Sequence, residues 1–164
     1  NQAQLNNLPF ELSTHSVQKI CLDIIDFLHP MAEIKNIKIT QHVDNEITIF
    51  ADLVMIKSIL RNLITNAIKY TKTGGLIDIC AEKTQSEIVI SVSDNGIGML
   101  PETLEHLFSI SNVHSVNGTA NEKGSGLGLI ICKELIEKHG GEIYAESVVG
   151  KGSKFKVVLP RKDC

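Results

Sequence analysis

Three short segments constrain the fold of this chain more than any other feature of its sequence. The first is an asparagine-bearing stretch with helical periodicity, residues 62–70 (NLITNAIKY). The second is a glycine turn at residues 94–98 (DNGIG), which directly follows an alternating β-branched run. The third is a glycine cluster at residues 124–129 (GSGLGL), which opens another run with helical periodicity. A helix, the end of a strand and the start of a second helix are therefore expected around one polar site, in a fold that packs helices on a sheet.

Composition limits the classes of protein to which the chain can belong. The sequence has 164 residues, of which 43% are hydrophobic, and a formal net charge of −3. It is long enough for one compact domain with a core, and it lacks the basic character of a nucleic-acid surface. No apolar run approaches the roughly 20 residues that span a membrane, and the polar start NQAQ does not resemble a signal peptide. The cysteines lack metal or redox spacing and are expected to be reduced thiols of a cytosolic protein: Cys21, Cys80, Cys132 and Cys164.

Hydrophobic periodicity predicts an α+β two-layer sandwich, with helices on one face of a mixed sheet. Helices are predicted over residues 13–35, 52–70, 101–108 and 125–139. Strands are predicted over residues 37–43, 47–50, 76–81, 87–93, 142–147 and 153–159.

Three finer expectations accompany these elements. Pro30 should kink or restart the first helix, and the first two strands should form a hairpin around Asp44 and Asn45. Residues 109–123 are polar and small without apolar periodicity, which predicts a mobile loop.

The helix over residues 52–70, capped by Asp52, carries a polar stripe at the edge of its apolar face. Asn62, Asn66 and Lys69 share this edge at 3.6 residues per turn, and Tyr70 lies beside it. Side-chain amide oxygens are suitable ligands for Mg²⁺, a lysine can neutralise phosphate oxygens, and a tyrosine ring can lie against a base. The alternative is the ordinary polar flank of an amphipathic helix.

Asp94 ends a buried strand and begins the first glycine turn. A carboxylate accepts hydrogen bonds and donates none, so it suits the exocyclic amine of adenine and opposes the carbonyl of guanine. Gly96 and Gly98, which flank Ile97, would let the backbone approach a base closely. The alternative is a simple turn with locally bonded Asp and Asn; a calcium loop is excluded because the alternating oxygen ligands and the closing glutamate are missing.

The second glycine cluster opens a helix, where backbone N–H groups bind anions. Its glycine spacing is neither that of a dinucleotide fingerprint nor that of a Walker loop. The alternative is a helix start with flexible glycines. The residues of this candidate phosphate site are Lys123, Gly124, Ser125, Gly126, Leu127, Gly128 and Leu129. If the cluster binds phosphate, Lys123 is an additional phosphate contact. If the cluster is only a helix start, Lys123 is a solvated loop lysine.

Taken together, the motifs resemble the catalytic ATP-binding domain of bacterial two-component sensor histidine kinases. That domain belongs to the ATPase and kinase superfamily that includes DNA gyrase, a heat-shock chaperone and the MutL repair protein. Residues 62–70 resemble the N box, residues 94–98 the first glycine box and residues 124–129 the second. Leu107 and Phe108 resemble the F box without its usual second phenylalanine, and residues 150–155 (GKGSKF) resemble the closing glycine turn and strand. The resemblance covers roughly residues 9–160.

The resemblance implies a five-stranded, mostly antiparallel sheet with about three helices on one face. It also implies roles for particular residues: Asn62 and Asn66 hold Mg²⁺, Lys69 holds the phosphates of ATP, Tyr70 flanks the adenine and Asp94 binds its amine. These and the two glycine boxes, with Ser153 of the closing strand, form the implied ATP site. Residues 99–123 would be a lid over the triphosphate.

The acceptor of the phosphate is expected to lie outside this sequence. Hydrolysing relatives have a glutamate where this chain has Asn62, and an amide cannot act as a general base, so transfer is favoured over hydrolysis. None of the six histidines precedes the acidic residue and proline usual in the family. Residues 1–8 would be the trailing end of a missing dimerisation and phosphoacceptor domain, and residues 9–164 the catalytic domain.

The partners expected from the resemblance are that dimerisation domain and a response regulator. The isolated domain would be a cytoplasmic monomer, and the full-length protein a homodimer whose anchoring in the inner membrane stays open. Two alternatives are a serine kinase of the anti-sigma-factor type and a non-catalytic nucleotide-sensing module.

Overall fold

The computed structural model describes residues 9–109 and 127–161. Its elements, in chain order, are β1 (Leu12–Ser16), α1 (Val17–Ile34), β2 (Lys38–His42), β3 (Thr48–Asp52), α2 (Leu53–Tyr70), β4 (Leu76–Lys83), β5 (Glu87–Asp94), α3 (Pro101–Glu105), α4 (Gly128–Lys138), β6 (Glu142–Val148) and β7 (Gly152–Pro160). No helix within these residues is both long and apolar enough to cross a bilayer.

The main sheet has five strands in the order β2-β4-β5-β7-β6. The pair β2–β4 is parallel and the other three pairs are antiparallel. Alternate residues of β4, β5 and β7 are buried in one hydrophobic core with the apolar sides of α1, α2 and α4, as expected when helices cover one face of a sheet. The predicted fold class is confirmed.

The first predicted helix begins later than expected. Residues 12–16 form β1, which pairs antiparallel with β3 in a separate two-stranded sheet. The helix starts only at Val17, where the Ser16 hydroxyl caps it by accepting from the backbone N–H of Lys19 at 3.2 Å. Ser13 and Thr14 are equally suitable caps by residue type, but their backbone is already engaged with β3. The helix does not restart at Pro30, which lies exposed inside α1, where water can satisfy the carbonyl that loses its partner.

The predicted hairpin between β2 and β3 is wrong. β2 pairs with β4, from Lys38 opposite Leu76 to His42 opposite Cys80, whereas β3 pairs with β1. Alternation identifies a strand and its buried side, but it carries no information about which strand lies next to it.

The other elements are close to their predicted positions. Asp52 caps α2, and β6 and β7 flank the predicted turn at residues 150–152. The short helix α3 ends at Glu105 instead of residue 108. The start of the last predicted helix and nearly all of the predicted loop lie outside the described residues. Cys21 and Cys132 are buried free thiols and Cys80 is a half-buried one, whereas Cys164 lies outside the described range.

Candidate active site

The amphipathic helix α2 brings its polar stripe to the edge of the core. Its N-terminus is capped by the Asp52 carboxylate, which accepts from the backbone N–H of Met55 at 3.0 Å. Asn62 and Asn66, one turn apart, are both half-buried. Their amides are therefore held against the core while remaining accessible from the side, which suits ligand binding.

Asn62 lies against the start of α4. Its amide lies near the buried Cys132 thiol and favours a lower pKa for it, while that thiol donates to the Ile59 carbonyl at 3.7 Å. A Cβ placed on Gly128 would lie 3.6 Å from Asn62 Oδ1. The first and third sequence motifs therefore meet at this point. The Asn66 side chain makes no hydrogen bond to any other residue in the described part of the chain.

The last turn of α2 holds Lys69 and Tyr70 together. Lys69 is only 9% exposed, and its ammonium lies 5.1 Å from the centroid of the Tyr70 ring, a cation–π distance. The Tyr70 carbonyl accepts a hydrogen bond from the backbone N–H of Ile97 at 3.1 Å. The first and second motifs are thus joined backbone to backbone.

Asp94 lies at the end of β5 with one carboxylate oxygen fixed by the protein. Its Oδ1 accepts from the backbone N–H groups of Gly96, at 2.9 Å, and Ser153, at 3.3 Å. Burial raises the pKa of this carboxyl, and the two N–H donors oppose that effect. Its Oδ2 accepts no hydrogen bond from any other described residue, so one acceptor atom is left for a ligand.

Three glycines of this region are required by close contacts between backbones. Gly98 has φ +72°, and a Cβ there would lie 2.1 Å from the Val148 carbonyl oxygen. Gly96 would place a Cβ 2.2 Å from the Tyr70 carbonyl oxygen, and Gly152, with φ +117°, would place one 2.0 Å from that of Asp94. The protein's own backbone, rather than a base, therefore accounts for the crowding at Gly98.

Ser147 joins the end of the first glycine turn to the β6–β7 turn. The sequence did not single out this residue. Its hydroxyl accepts from the backbone N–H of Met99 at 2.8 Å, donates to the Gly152 carbonyl at 3.0 Å and lies 2.8 Å from Ser153 Oγ. Only the register that places Ser147 opposite Ser153 reveals this role, since a serine near a strand end is unremarkable in a sequence.

The remaining candidate residues are only partly described. Leu127 is the N-cap residue of α4 and offers no side-chain cap, and Leu129 packs half-buried against the core, as do Leu107 and Phe108. The candidate residues Lys123, Gly124, Ser125 and Gly126 lie outside the described range. The structure thus brings together the asparagine stripe, the Asp94 turn, Ser153 and the start of α4 at one end of the sheet.

Comparison with known proteins identifies the family of the chain. The model of the family described as "Histidine kinase-, DNA gyrase B-, and HSP90-like ATPase" matches residues 51–163. Sensor protein SrrB of Staphylococcus aureus (strain NCTC 8325 / PS 47) is 39% identical over 112 residues, which is 68% of this chain and 19% of SrrB. The chain therefore spans about a fifth of the length of that relative.

Solved structures with the same fold include those of ThkA and ShkA. The catalytic domain of histidine kinase ThkA superposes with a TM-score of 0.80 at 26% identity, covering 92% of this chain and 97% of that domain. Full-length ShkA in complex with AMPPNP gives a TM-score of 0.81 at 26% identity, covering 96% of this chain and 33% of ShkA. The chain therefore belongs to the histidine kinase-, DNA gyrase B- and HSP90-like ATPase family.

Proposed function

We propose that this domain binds Mg-ATP and donates its γ-phosphate to a histidine on the dimerisation domain of its own sensor kinase. The observation that carries the proposal is the state of the Asp94 carboxylate. Two backbone donors fix its Oδ1, while its Oδ2 accepts no hydrogen bond within the described residues. An oriented, half-buried acceptor of this kind is suited to an amine of the ligand.

Adenine fits this acceptor better than guanine does. The exocyclic amine of adenine would donate to Asp94 Oδ2, whereas guanine would place a carbonyl oxygen against the carboxylate. Tyr70, whose carbonyl accepts a hydrogen bond from Ile97, would flank the base, and the Ser153 hydroxyl would lie at the same end of the site. A site built around such a donor–acceptor pair discriminates strongly against a ligand that leaves it unpaired.

The phosphates would lie along α2 and the start of α4. Asn66 and Asn62 supply neutral amide oxygens, a donor set that fits Mg²⁺ because this ion keeps several waters and takes few protein ligands. When bound, Mg²⁺ neutralises charge on the phosphate oxygens. Lys69 would add a positive charge, and the second glycine box, residues 124–129 with Lys123, would contribute backbone donors and a further charge.

The residue types on α2 favour transfer of the phosphate to a nucleophile over hydrolysis. Neither Asn62 nor Asn66 can take a proton from water, so catalysis would consist of positioning and charge neutralisation. ShkA was solved with AMPPNP, an analogue of ATP, and ThkA was solved in complex with the response regulator TrrA. These complexes support a nucleotide-binding role here and a response regulator as the final acceptor of the phosphate.

Nucleotide preference provides the direct test. Calorimetric titration of the wild-type domain with Mg-ATP and Mg-GTP should show a clear preference for ATP. Asp94→Asn should lose it, with ATP binding roughly 10- to 100-fold weaker. Asp78→Asn, on a side chain that faces away from the core between buried Ile77 and Ile79, is the matched control and should bind like wild type. If Asp94→Asn preferred ATP over GTP as strongly as wild type does, the proposed role of Asp94 in recognising the base would be ruled out.

A phosphotransfer assay tests the kinase step. The domain is mixed with its own dimerisation domain and labelled ATP, and transfer is followed with wild type, Asn66→Ala and Lys69→Met. The wild type should yield acid-labile, base-stable phosphohistidine, and both variants should lose most of the signal. Acid-stable phosphoserine on a partner would indicate the serine-kinase alternative, and binding without any transfer would indicate a nucleotide-sensing module.

A further inference from the structure

Lys35 is a buried lysine that makes specific contacts with the C-terminal end of α2. It follows α1 directly and is only 4% exposed. Its Nζ donates to two backbone carbonyls of α2, those of Ile68 at 2.8 Å and Lys69 at 3.1 Å. A buried ammonium is costly unless hydrogen bonds compensate it, and these two bonds supply part of that compensation.

The position of these carbonyls explains why a lysine is placed there. The last four carbonyls of a helix have no partner within the helix, and the helix dipole places partial negative charge at that end. Lys35 binds two of these carbonyls in α2 and brings a positive charge to them. The backbone N–H of Ile97 binds the next one, that of Tyr70, at 3.1 Å. The carbonyls of residues 68–70 therefore all accept hydrogen bonds from residues outside α2.

The main chain of Lys35 is held as firmly as its side chain. Its N–H donates to the Ala32 carbonyl at 3.1 Å, and its carbonyl accepts from the N–H of Gly74 at 2.8 Å. The next residue, Asn36, turns the chain with φ +53°. Lys35 thus links the end of α1, the last turn of α2 and the turn that follows α2.

We infer that Lys35 is a positioning residue for nucleotide binding, which acts by fixing the last turn of α2. That turn carries Lys69 and Tyr70, the side chains assigned above to the phosphates and the base. The inference rests on the proposed function. Lys35 itself lies under the helix end and acts through the backbone of Lys69, not through contact with the nucleotide.

The primary test compares Lys35→Met with Lys38→Met by calorimetric titration with Mg-ATP. Both changes remove one positive charge, but Lys38 is exposed three residues further along, at the start of β2. Methionine keeps the aliphatic length but removes the charged donor to both carbonyls, so Lys35→Met should bind Mg-ATP about tenfold more weakly. Lys38→Met should match wild type, and Lys35→Arg should recover much of the affinity because it restores charged donors.

A double-mutant cycle separates positioning from a general loss of stability. If Lys35 acts through Lys69, the effect of Lys35→Met on Mg-ATP affinity should shrink to less than about twofold in a Lys69→Met background, since coupled residues are not additive. Undiminished weakening in that background would overturn the inference. Should Lys35→Met not fold, the same cycle is run with Lys35→Gln, which removes the charge but keeps a polar side chain, and full additivity there would overturn the inference as well.

The two proposals fail in different ways. Wild-type protein that does not bind Mg-ATP would overturn the proposed function, and the inference about Lys35 with it. Wild-type protein that binds Mg-ATP, together with a folded Lys35→Met variant of equal affinity, would overturn the inference alone.

Discussion

Cys21 and Cys132 are thiols that the core keeps neutral. Both are fully buried, and burial raises the pKa of each to about 12 from an ordinary value of 9.0. At Cys132 the nearby Asn62 amide favours a lower pKa, but this effect does not outweigh that of burial. Since the thiolate is the reactive form, both residues are expected to be inert in the folded protein.

These thiols make stability sensitive to alkaline pH. The folded pKa lies above the unfolded one, so the stabilisation is complete below pH 9.0 and declines as the pH rises toward 12. The decline is at most about 1.4 kcal/mol per pH unit for each thiol. We expect the unfolding free energy of Cys21→Ala to fall less steeply with pH than that of wild type, as measured by urea unfolding with reductant. The measurement should run from about pH 8.5 to about pH 10.5, because the pKa of an exposed thiol is roughly 9. If the unfolding free energies of wild type and Cys21→Ala fell equally steeply with pH, burial of the Cys21 thiol would not be the cause.

Gly98 and Gly150 provide a matched pair for testing backbone crowding. Both have left-handed φ, +72° and +82°, but a Cβ would lie 2.1 Å from the Val148 carbonyl oxygen at Gly98 and would have nothing within 4 Å at Gly150. Gly150→Ala should therefore cost only the conformational penalty, roughly 1–2 kcal/mol. Gly98→Ala should lower the unfolding free energy by about 1–3 kcal/mol more than Gly150→Ala does, as measured by urea unfolding. It should also weaken Mg-ATP binding, as measured by calorimetric titration. Equal effects of the two substitutions would show that the loop relaxes freely.

Among the secondary-structure elements, α2 is the one on which the candidate site depends, and both of its ends are anchored from outside. At its start, the Asp52 carboxylate accepts from the backbone N–H groups of Met55 at 3.0 Å and Glu11 at 2.9 Å. The Asp52 N–H in turn donates to His139 Nε2 at 3.1 Å, while His139 Nδ1 donates to the Leu135 carbonyl at 2.7 Å. A neutral imidazole with its proton on Nδ1 satisfies both contacts. The start of α2 is thereby joined to β1 and to the end of α4.

The cap at Asp52 should contribute measurably to stability. Burial by itself would raise the pKa of this carboxyl, but the backbone N–H donors of Glu11, Met55 and Val54 hold the pKa below its ordinary value of 3.8. The stabilisation is therefore present above pH 3.8 and is lost as the pH falls. Asp52→Ala should lower the unfolding free energy at pH 7 by about 1–2 kcal/mol. Asp52→Asn, which keeps an oxygen acceptor, should recover most of that loss, and its difference from wild type should vanish in acid.

At the scale of the whole molecule, the candidate site draws on elements far apart in the chain. Asp94 at the end of β5 receives an N–H bond from Ser153 at the start of β7, and α2 contacts Gly128 of α4 through Asn62. A nucleotide bound there would contact several of these elements at once. Binding and global stability should therefore be coupled.

This coupling can be measured as thermal stabilisation by ligand. At a Mg-ATP concentration of 100 times Kd, the unfolding free energy should rise by about 2.7 kcal/mol, which appears as an increase in Tm by scanning calorimetry. Mg-GTP at the same concentration should give a smaller increase, and Asp94→Asn should reduce the response to ATP. An identical Tm with and without Mg-ATP in wild type would contradict nucleotide binding at this site.

Local signals were sufficient for the elements that contain most of the site. The bounds of α2 follow from helical periodicity and from a single capping residue, Asp52, all within one stretch of chain. The ends of β5 and β7 follow from alternation and adjacent glycines in the same way. The pairings of β1 and β2 were not predictable, because strand partners are chosen by the packing of the whole core and leave no local trace.

Fold class, family and the residue types of the candidate site follow from the amino-acid sequence, since periodicity and glycine spacing are properties of neighbouring residues. Which of these residues touch, and what holds them in place, depends on how the chain folds. Lys35 is an ordinary lysine in the sequence, and Ser147 an ordinary serine. Each acquires its role because the fold buries polar backbone atoms next to it, 33 residues away for the Ile68 carbonyl and 48 for the Met99 N–H, and such atoms must be hydrogen-bonded once water is excluded.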